Sequence, residues 1–469
     1  MGGGGVMTET TALASQRWRR LMPLVFITYS FAYLDRSNYA IGSAGGLKHA
    51  LQLTSGQVGL LGGLFFIGYF IFQVPAAIFA ERRSVKRLMF WSLIAWGVFA
   101  SLQGVVSSYP LLLADRFLLG VVEAAVLPAM LVFLTHWFSS RERGRADTFL
   151  ILGNPVTLLW MSVVSGYLIA ATSYRWMFII EGLPAIAWAF AFRALSADRP
   201  RDAKWLAPSE REEIEERLAS EQAGVPKVEG YREAFKSWNV QVLSVQYALW
   251  SVGVYGFVFW LPTIVKSLSG HGIGSTGALS AIPYALAVVL MLGNSYVSDR
   301  VHQRRRLFVW PFLIVGAIAF YLSYRVGTGH FVESFVLLII AGGVMYAPYG
   351  PYFAFIPEFL PQNVSGAAMG VINAFGALGG FAGAYVVGAL GGGSKSGGAF
   401  IFMAACLLAA GLLMFLVKRP QVVEQEEQPR RPRMKSAAAV LAARAGTSPD
   451  PLVGGSLESA LHSGRRKTH

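Results

Sequence analysis

The sequence predicts an all-α membrane protein of twelve transmembrane helices in two six-helix halves, and three observations carry that reading. Apolar residues make up 54% of the 469 residues and charged ones only 14%. The apolar residues recur in blocks of about twenty, the length that crosses a ~30 Å hydrocarbon core, which a soluble globule would not need. The basic residues behind the formal charge of +14 could suggest a nucleic-acid partner, but they sit in short clusters at the block ends, where they act as a topology signal instead. The third observation is a repeat. Ala80-Glu81-Arg82-Arg83-Ser84-Val85-Lys86-Arg87 follows the second block, and Ser298-Asp299-Arg300-Val301-His302-Gln303-Arg304-Arg305-Arg306 follows the eighth. An acid–arginine pair trailed by basic residues at equivalent places implies duplication of a six-helix unit.

The chain begins with a segment, 1–20, that precedes the first block. Met1 to Gly5 followed by Val6 lacks the Ser or Thr of a myristoylation signal, Met7 is a possible natural start, and this stretch is expected to be disordered. Arg17, Arg19 and Arg20 precede an apolar run as in a signal peptide, but the run is too long and is interrupted by Asp35 and Arg36, so it should stay as the first helix. The spans then fall at 21–46, 57–80, 87–107, 109–137, 147–171 and 174–195, giving an N-terminal half over 21–196. A polar linker, 197–238, follows, in which Pro208-Ser-Glu-Arg-Glu-Glu-Ile-Glu-Glu-Arg starts a charged, surface-lying helix. The C-terminal half, 239–418, holds spans at 239–265, 275–297, 306–326, 330–355, 363–390 and 397–417. The remainder, 419–469, is rich in Pro, Glu, Gln, Arg, Ser and Gly and is expected to be a largely disordered tail.

With the N-terminus inside, Glu81–Arg87, Ser139–Arg145, the linker and Asp299–Arg306 face the cytoplasm. They hold about nineteen Lys and Arg against about five in the opposite loops, so both termini are expected in the cytoplasm of a cell whose inner membrane the chain spans many times. Cys406, the single cysteine, lies within a late apolar block and is expected to pack, with no intrachain disulfide possible.

The doubled loop resembles the signature loop of the major facilitator superfamily, with Ala77, Glu81 and Ser84 standing where Gly, Asp and Gly are usual. Tyr33-Leu-Asp-Arg-Ser-Asn-Tyr39 and Arg116-Phe-Leu-Leu-Gly-Val-Val-Glu123 are similar to strings of its anion:cation symporter family, over about 20–418. Leu150–Gly166, Arg175–Pro184 and Met345–Tyr352 look most like bacterial 2-ketogluconate transporters. The resemblance implies a major facilitator fold and proton-coupled import of a small sugar acid, 2-ketogluconate or a related aldonate. Related permeases carry galactonate-like and aromatic acids on one scaffold, so uptake of another organic anion, or anion exchange, stands as the alternative. The partners expected are that acid, protons and the lipid bilayer, with no nucleic acid, and the carrier is expected to be a monomer.

Ionisable groups in hydrocarbon cost several kcal/mol, so each needs a partner or a purpose. Asp35, Arg36, Asp115, Arg116, Glu123 and Glu181 all lie in first-half spans, while the later spans have no acid or base away from their ends. At 1.5 Å per residue Asp35 and Glu123 each sit ~20 Å deep, near the midplane. Arg116 and Glu123 are seven apart and share one helix face. Burial disfavours a charged carboxyl and a nearby arginine favours it, so an anionic substrate arriving at the arginine can release or recruit a proton. In the family the matching acids carry protons, a role the resemblance passes to Asp35 and Glu123. The plainer reading makes Asp35–Arg36 and Arg116–Glu123 static pairs between the first and fourth spans. Glu181 and Asp115 are expected to be structural, nearer the outer end where water reaches.

Arg36 and Arg116 are the deep cations available for a carboxylate. Prolines and glycines inside apolar blocks mark lining where helices break: Gly153-Asn154-Pro155, Tyr255-Gly256 with Trp260-Leu-Pro262, and Tyr346 through Tyr352. Tyr255, Trp260, Tyr349 and Tyr352 offer flat faces with one polar tip, suited to a polyol chain, and Asn154 and Asn373 add amides. Tyr33 and Asn38 belong to the first string, and Tyr69 and Gln73 lie opposite Asp35 by helix spacing. Glu81, Arg82, Asp299 and Arg300 are expected to act in gate closure. A phosphate-ester antiporter would want basic residues from both halves. A drug exporter would want a Gly-Pro-rich fifth span, and a nutrient sensor would need an output domain that the tail lacks. No nucleotide loop, metal cluster or nucleophile elbow appears, so no cofactor, metal or enzymatic activity is expected.

Overall fold

The structure, a computed structural model, describes residues 4–223, 236–327, 329–356, 362–392 and 397–418. The chain runs through α1 (Gly4–Gly42), α2 (Ser55–Arg82), α3 (Val85–Leu102), the two-part α4 (Tyr109–Glu123 and Val126–Trp137), α5 (Ser140–Ala171) and α6 (Tyr174–Leu195). The linker helix α7 (Pro208–Ala223) leads to α8 (Trp238–Ser269), α9 (Ile273–Arg300), α10 (Trp310–Val326) and the two-part α11 (Phe331–Tyr346 and Tyr349–Phe355). The last two helices are α12 (Gln362–Ala389) and α13 (Gly397–Leu413). Among the described residues there is no strand, and eleven helices are long and apolar enough to cross a membrane. The first span is the exception, since α1 carries Asp35 and Arg36 in its middle.

Loop ends follow local chemistry. Thr54 starts α2 with a capping box in which its hydroxyl accepts from the Gln57 N–H, and Ser84 caps α3 by accepting from the Arg87 N–H. Gly270, at φ 66°, ends α8 in the left-handed region that a residue with a Cβ resists. We call the end of the bundle bearing residues 83–84, 139 and 301–309 the near end, and the end bearing 48–54 and 103–108 the far end.

One helix breaks where the sequence predicted a continuous one, and another breaks where the sequence marked a break. α4 turns at Ala124–Ala125, because Pro128 has no N–H for the carbonyl four residues earlier and its ring crowds that turn. α11 breaks at Ala347–Pro348, and Pro351 leaves the Ala347 carbonyl without a helical donor. Asn294 of α9 supplies one, its Nδ2 donating to that oxygen at 2.8 Å, while the Trp250 indole donates to the Met345 carbonyl at 3.0 Å. The expected breaks near Pro155 and Pro262 do not occur; α5 and α8 run through both prolines.

The start is ordered further than expected, with helix from Gly4. Arg17 anchors it, donating to the Trp137 carbonyl at 2.7 Å and to Glu142 at 3.2 Å. The linker helix forms over Pro208–Ala223 as the sequence indicated, burying Ile214 and Leu218. Beside it Trp205 stacks on Trp137 at 5.6 Å. The expected tail lies outside the described residues. Cys406 is buried and free.

Close helix approach is built on glycine. A Cβ at Gly120 of α4 would lie 1.9 Å from the Phe65 carbonyl of α2. Between the halves, the Gly277 position of α9 sits against α5, where a Cβ would lie 2.3 Å from the Ser162 carbonyl, and Gly59 of α2 faces the Ala384 carbonyl of α12. Lys266 Nζ donates to the Ala44 carbonyl at 2.8 Å. All three contacts lie toward the far end, so the halves are sealed there.

Candidate functional site

The midplane site grows from the middle of α1. Arg36 points from α1 between α2, α4 and α8: its Nη2 donates to Glu123 Oε2 at 3.4 Å, and its Nη1 to the Tyr255 hydroxyl at 3.5 Å. The guanidinium lies 4.8 Å from the Tyr69 ring centre, 5.1 Å from Phe65 and 5.5 Å from Tyr33, so a weakly hydrated planar cation is held by aromatic faces where water is scarce. Glu123, in the last turn of the first α4 segment, is fully buried. Tyr255 comes from the other half, so one cation touches both halves at the midplane.

The expected pairing of each acid with the arginine of its own helix is not what forms. Asp35 and Arg36 are about 100° apart around α1, so they face different neighbours. Asp35 turns to α3 and accepts from the Trp96 indole N–H, and Arg36 takes Glu123 from α4. Arg116 is likewise drawn away from Glu123. Its Nε donates to the Leu61 carbonyl at 3.2 Å, its Nη1 to Gln103 at 3.4 Å, and its guanidinium lies 4.6 Å from the Tyr39 ring. These contacts tie α1, α2, α3 and α4 together, while Arg116 Nη2 is buried without a hydrogen-bond partner among the described residues.

Other residues of the expected site are held by neighbours. Asn38 is engaged, its Nδ2 donating to Glu181 Oε2 at 3.0 Å, while Ser165 donates to Oε1 at 2.6 Å. Glu181 is therefore a buried tie between α1, α5 and α6, not a group in reach of water, and Asp115 is buried as well. Trp260 donates its indole N–H to the Ala384 carbonyl at 3.1 Å and packs on Gly388 and Gly392. Tyr352 is fully buried and donates to the Leu243 carbonyl at 3.1 Å. Both hold helices of the second half together, since a backbone carbonyl already takes the polar tip of each.

The rest of the expected lining divides by position. Tyr33, Tyr69 and Tyr255 gather around Arg36. Gln73 and Asn154 are buried, Asn373 is half-buried on α12, and Tyr349 stacks 5.6 Å from Tyr346 beside Trp250. Among the described residues Glu123 Oε1, Arg36 Nε and Gln73 Oε1 are buried without a hydrogen-bond partner, and so are Asp35 Oδ1, Asn38 Oδ1 and Arg116 Nη2.

Of the loop residues, Glu81, Arg82, Asp299 and Arg300 are exposed. Asp299 pairs with Arg305 at 3.5 Å and Arg300 donates to the Tyr296 hydroxyl. The group that organises the first loop was not foreseen: Asp198, after α6, accepts from the Lys86 N–H at 2.8 Å and from Ser84 Oγ. Trp96 was missed too, and no local pattern marks an indole inside an apolar helix. Asn294, an amide in an apolar block, was a signal the sequence offered.

Residues 25–384 match the model of the Major Facilitator Superfamily. The chain belongs to that superfamily. Its members are transporters and not enzymes, and this major facilitator protein is a multi-pass membrane protein. It is 30% identical over 381 residues to a putative tartrate transporter of Agrobacterium vitis, covering 79% of this chain and 83% of that one. It is 31% identical over 376 residues to the inner membrane transport protein RhmT of Escherichia coli, covering 77% and 85%. To a quinolone resistance transporter of Acinetobacter baumannii it is 29% identical over 385 residues, covering 79% and 86%. A solved bacterial homologue of the lysosomal transporter Spinster, inward-facing and occupied, superposes with TM-score 0.66 at 16% identity, covering 85% of this chain and 96% of that one; this likeness concerns the fold alone.

Proposed function

We propose that this protein imports a small organic anion together with protons across a bacterial inner membrane. The substrate is a sugar acid such as 2-ketogluconate or a related aldonate, and the termini face the cytoplasm. The observation that carries the reading is the Arg36–Glu123 pair at 3.4 Å with Tyr255 of the opposite half on the same guanidinium. A carboxylate is the ligand that best competes with Glu123 for that fork, since both offer the same paired oxygens. Once displaced, a buried Glu123 is too costly to leave charged and takes a proton, while Asp35, held by a neutral indole, is the second proton carrier. Arg36 binds the carboxylate, and Tyr33, Tyr69, Gln73, Asn154 and Tyr255 meet the hydroxylated chain. The relative named for tartrate supports an anionic, hydroxylated substrate; the relative named for quinolone resistance favours a quinolone-type substrate instead.

Uptake into proteoliposomes separates the readings. With an inward proton gradient the protein should accumulate labelled 2-ketogluconate, and a protonophore should collapse the accumulation. Asp35→Asn and Glu123→Gln should lose accumulation and keep counterflow exchange, which moves no net proton. Accumulation that ignores the protonophore and follows sodium or an internal anion would overturn proton symport, and quinolone efflux without sugar-acid uptake would favour export.

A further inference from the structure

At the near end of the N-terminal half a cleft opens between the first turn of α3 and the last turn of α6, lined by Ser84, Lys86, Arg87, Phe90, Trp91 and Arg193. Its chemistry is layered along the bundle axis. Arg87 and Arg193 stand exposed at the mouth, and neither has a carboxylate partner among the described residues. Lys86 lies beside them with its Nζ donating to the Ser196 carbonyl at 2.9 Å. One turn deeper Trp91 and Phe190 are each 59% exposed, far more than a soluble surface tolerates for rings of that size. Seven residues further along the same faces, Val98 and Leu183 continue the two apolar stripes, 43% and 51% exposed. Asp198 beside the cleft has its oxygens on Ser84 and the Lys86 N–H, so it does not pair with Arg87 or Arg193.

We propose that this cleft is a binding site for an anionic phospholipid, with Arg87 and Arg193 on the phosphate, Trp91 at the glycerol level and the Val98 and Leu183 stripes under the acyl chains. Basic residues at a span's end normally extend to water as topology markers. Arg193 is exposed but also lies against an aromatic face. Its guanidinium folds back over the Phe90 ring at 4.8 Å, and Phe90 is wedged edge-on against Phe190 at 5.5 Å. That arrangement preorganises a cation beside an apolar wall, which suits a ligand with a charged head and a greasy body. Two arginines without a carboxylate partner among the described residues select a lipid with net negative charge over a zwitterionic one.

The test is native mass spectrometry of the purified full chain with phosphatidylglycerol or phosphatidylcholine as the added lipid. The wild type should retain phosphatidylglycerol, and Arg87→Gln and Arg193→Gln should each weaken that retention about tenfold, the loss of one charge-assisted contact. Lys204→Gln, which removes an equal charge from the exposed linker, should change nothing. Trp91→Ala should lower retention with the charges intact, which keeps the test open if an arginine variant fails to fold. Equal retention of the two lipids, or an equal loss in Lys204→Gln, would reduce the site to general surface charge. Displacement of the lipid by millimolar inorganic phosphate would show that the cleft holds a free anion instead.

Discussion

Replacing Arg36 by Gln tests the division of labour between the two deep arginines. In the structure its guanidinium makes the Glu123 and Tyr255 contacts at 3.4 and 3.5 Å and faces three aromatic rings, and among the described residues no other cation makes an ion pair with Glu123. If a substrate carboxylate takes the Glu123 position on the fork, the variant loses a charge-assisted contact of ~1.5–3 kcal/mol, a fall in affinity of roughly 10- to 150-fold. The variant also strands Glu123 in a dry site, which costs stability, so the double variant Arg36→Gln/Glu123→Gln should melt higher than Arg36→Gln alone while binding no better. Binding is read by equilibrium scintillation proximity with labelled sugar acid, and folding by the melting temperature in detergent. A folded Arg36→Gln protein that bound within twofold of wild type would refute the assignment, because no other contact in the site could stand in for the lost cation.

Arg116→Gln should behave in the opposite way, lowering the melting temperature through its lost ties to Leu61, Gln103 and Tyr39 and leaving the affinity of the surviving folded protein near wild type. Asn294→Ala should destabilise by about 1–3 kcal/mol, the cost of orphaning the Ala347 carbonyl at the α11 break, seen as an earlier thermal transition. Gly277→Val forces a side chain onto the Ser162 carbonyl where a Cβ already stands 2.3 Å away, so the far-end seal should open. A cysteine placed at Ala44 should then label faster with a membrane-impermeant maleimide.

The spans were legible because a membrane helix announces itself by length and apolarity, which need no partner to be read. The duplicated loop and the deep charges were legible for the same reason, being local exceptions in apolar text. Which charge meets which was not. Asp35 and Arg36 are adjacent in sequence, yet helical geometry points them to different neighbours, and only the packing of α3 and α4 around α1 decides that Trp96 takes one and Glu123 the other. Trp260 and Tyr352 show the same limit from the other side. An aromatic with a polar tip looks alike whether it meets a sugar or a backbone carbonyl, and here each tip meets a carbonyl. The α4 break escaped because Pro128 was read as part of an apolar block, although its missing N–H acts four residues upstream, beside Glu123 itself.

That placement gives the break a consequence. Glu123 closes the first segment of α4, and the turn at Ala124–Ala125 lets the second segment change direction immediately after the acid. A carboxyl at such a point can move with one segment while Arg36 stays with α1, so breaking their pair needs only a small rotation. Tyr255 ties the same guanidinium to the second half, so if Arg36 exchanges Glu123 for a ligand as proposed, the exchanging group also contacts the half that must rock. An unpaired charge at the midplane opposes that rocking by several kcal/mol, and the opposition vanishes when Arg36 holds an anion and Glu123 holds a proton. On the proposed mechanism coupling needs no long pathway, because ligand exchange, proton uptake and the contact between halves would all centre on Arg36.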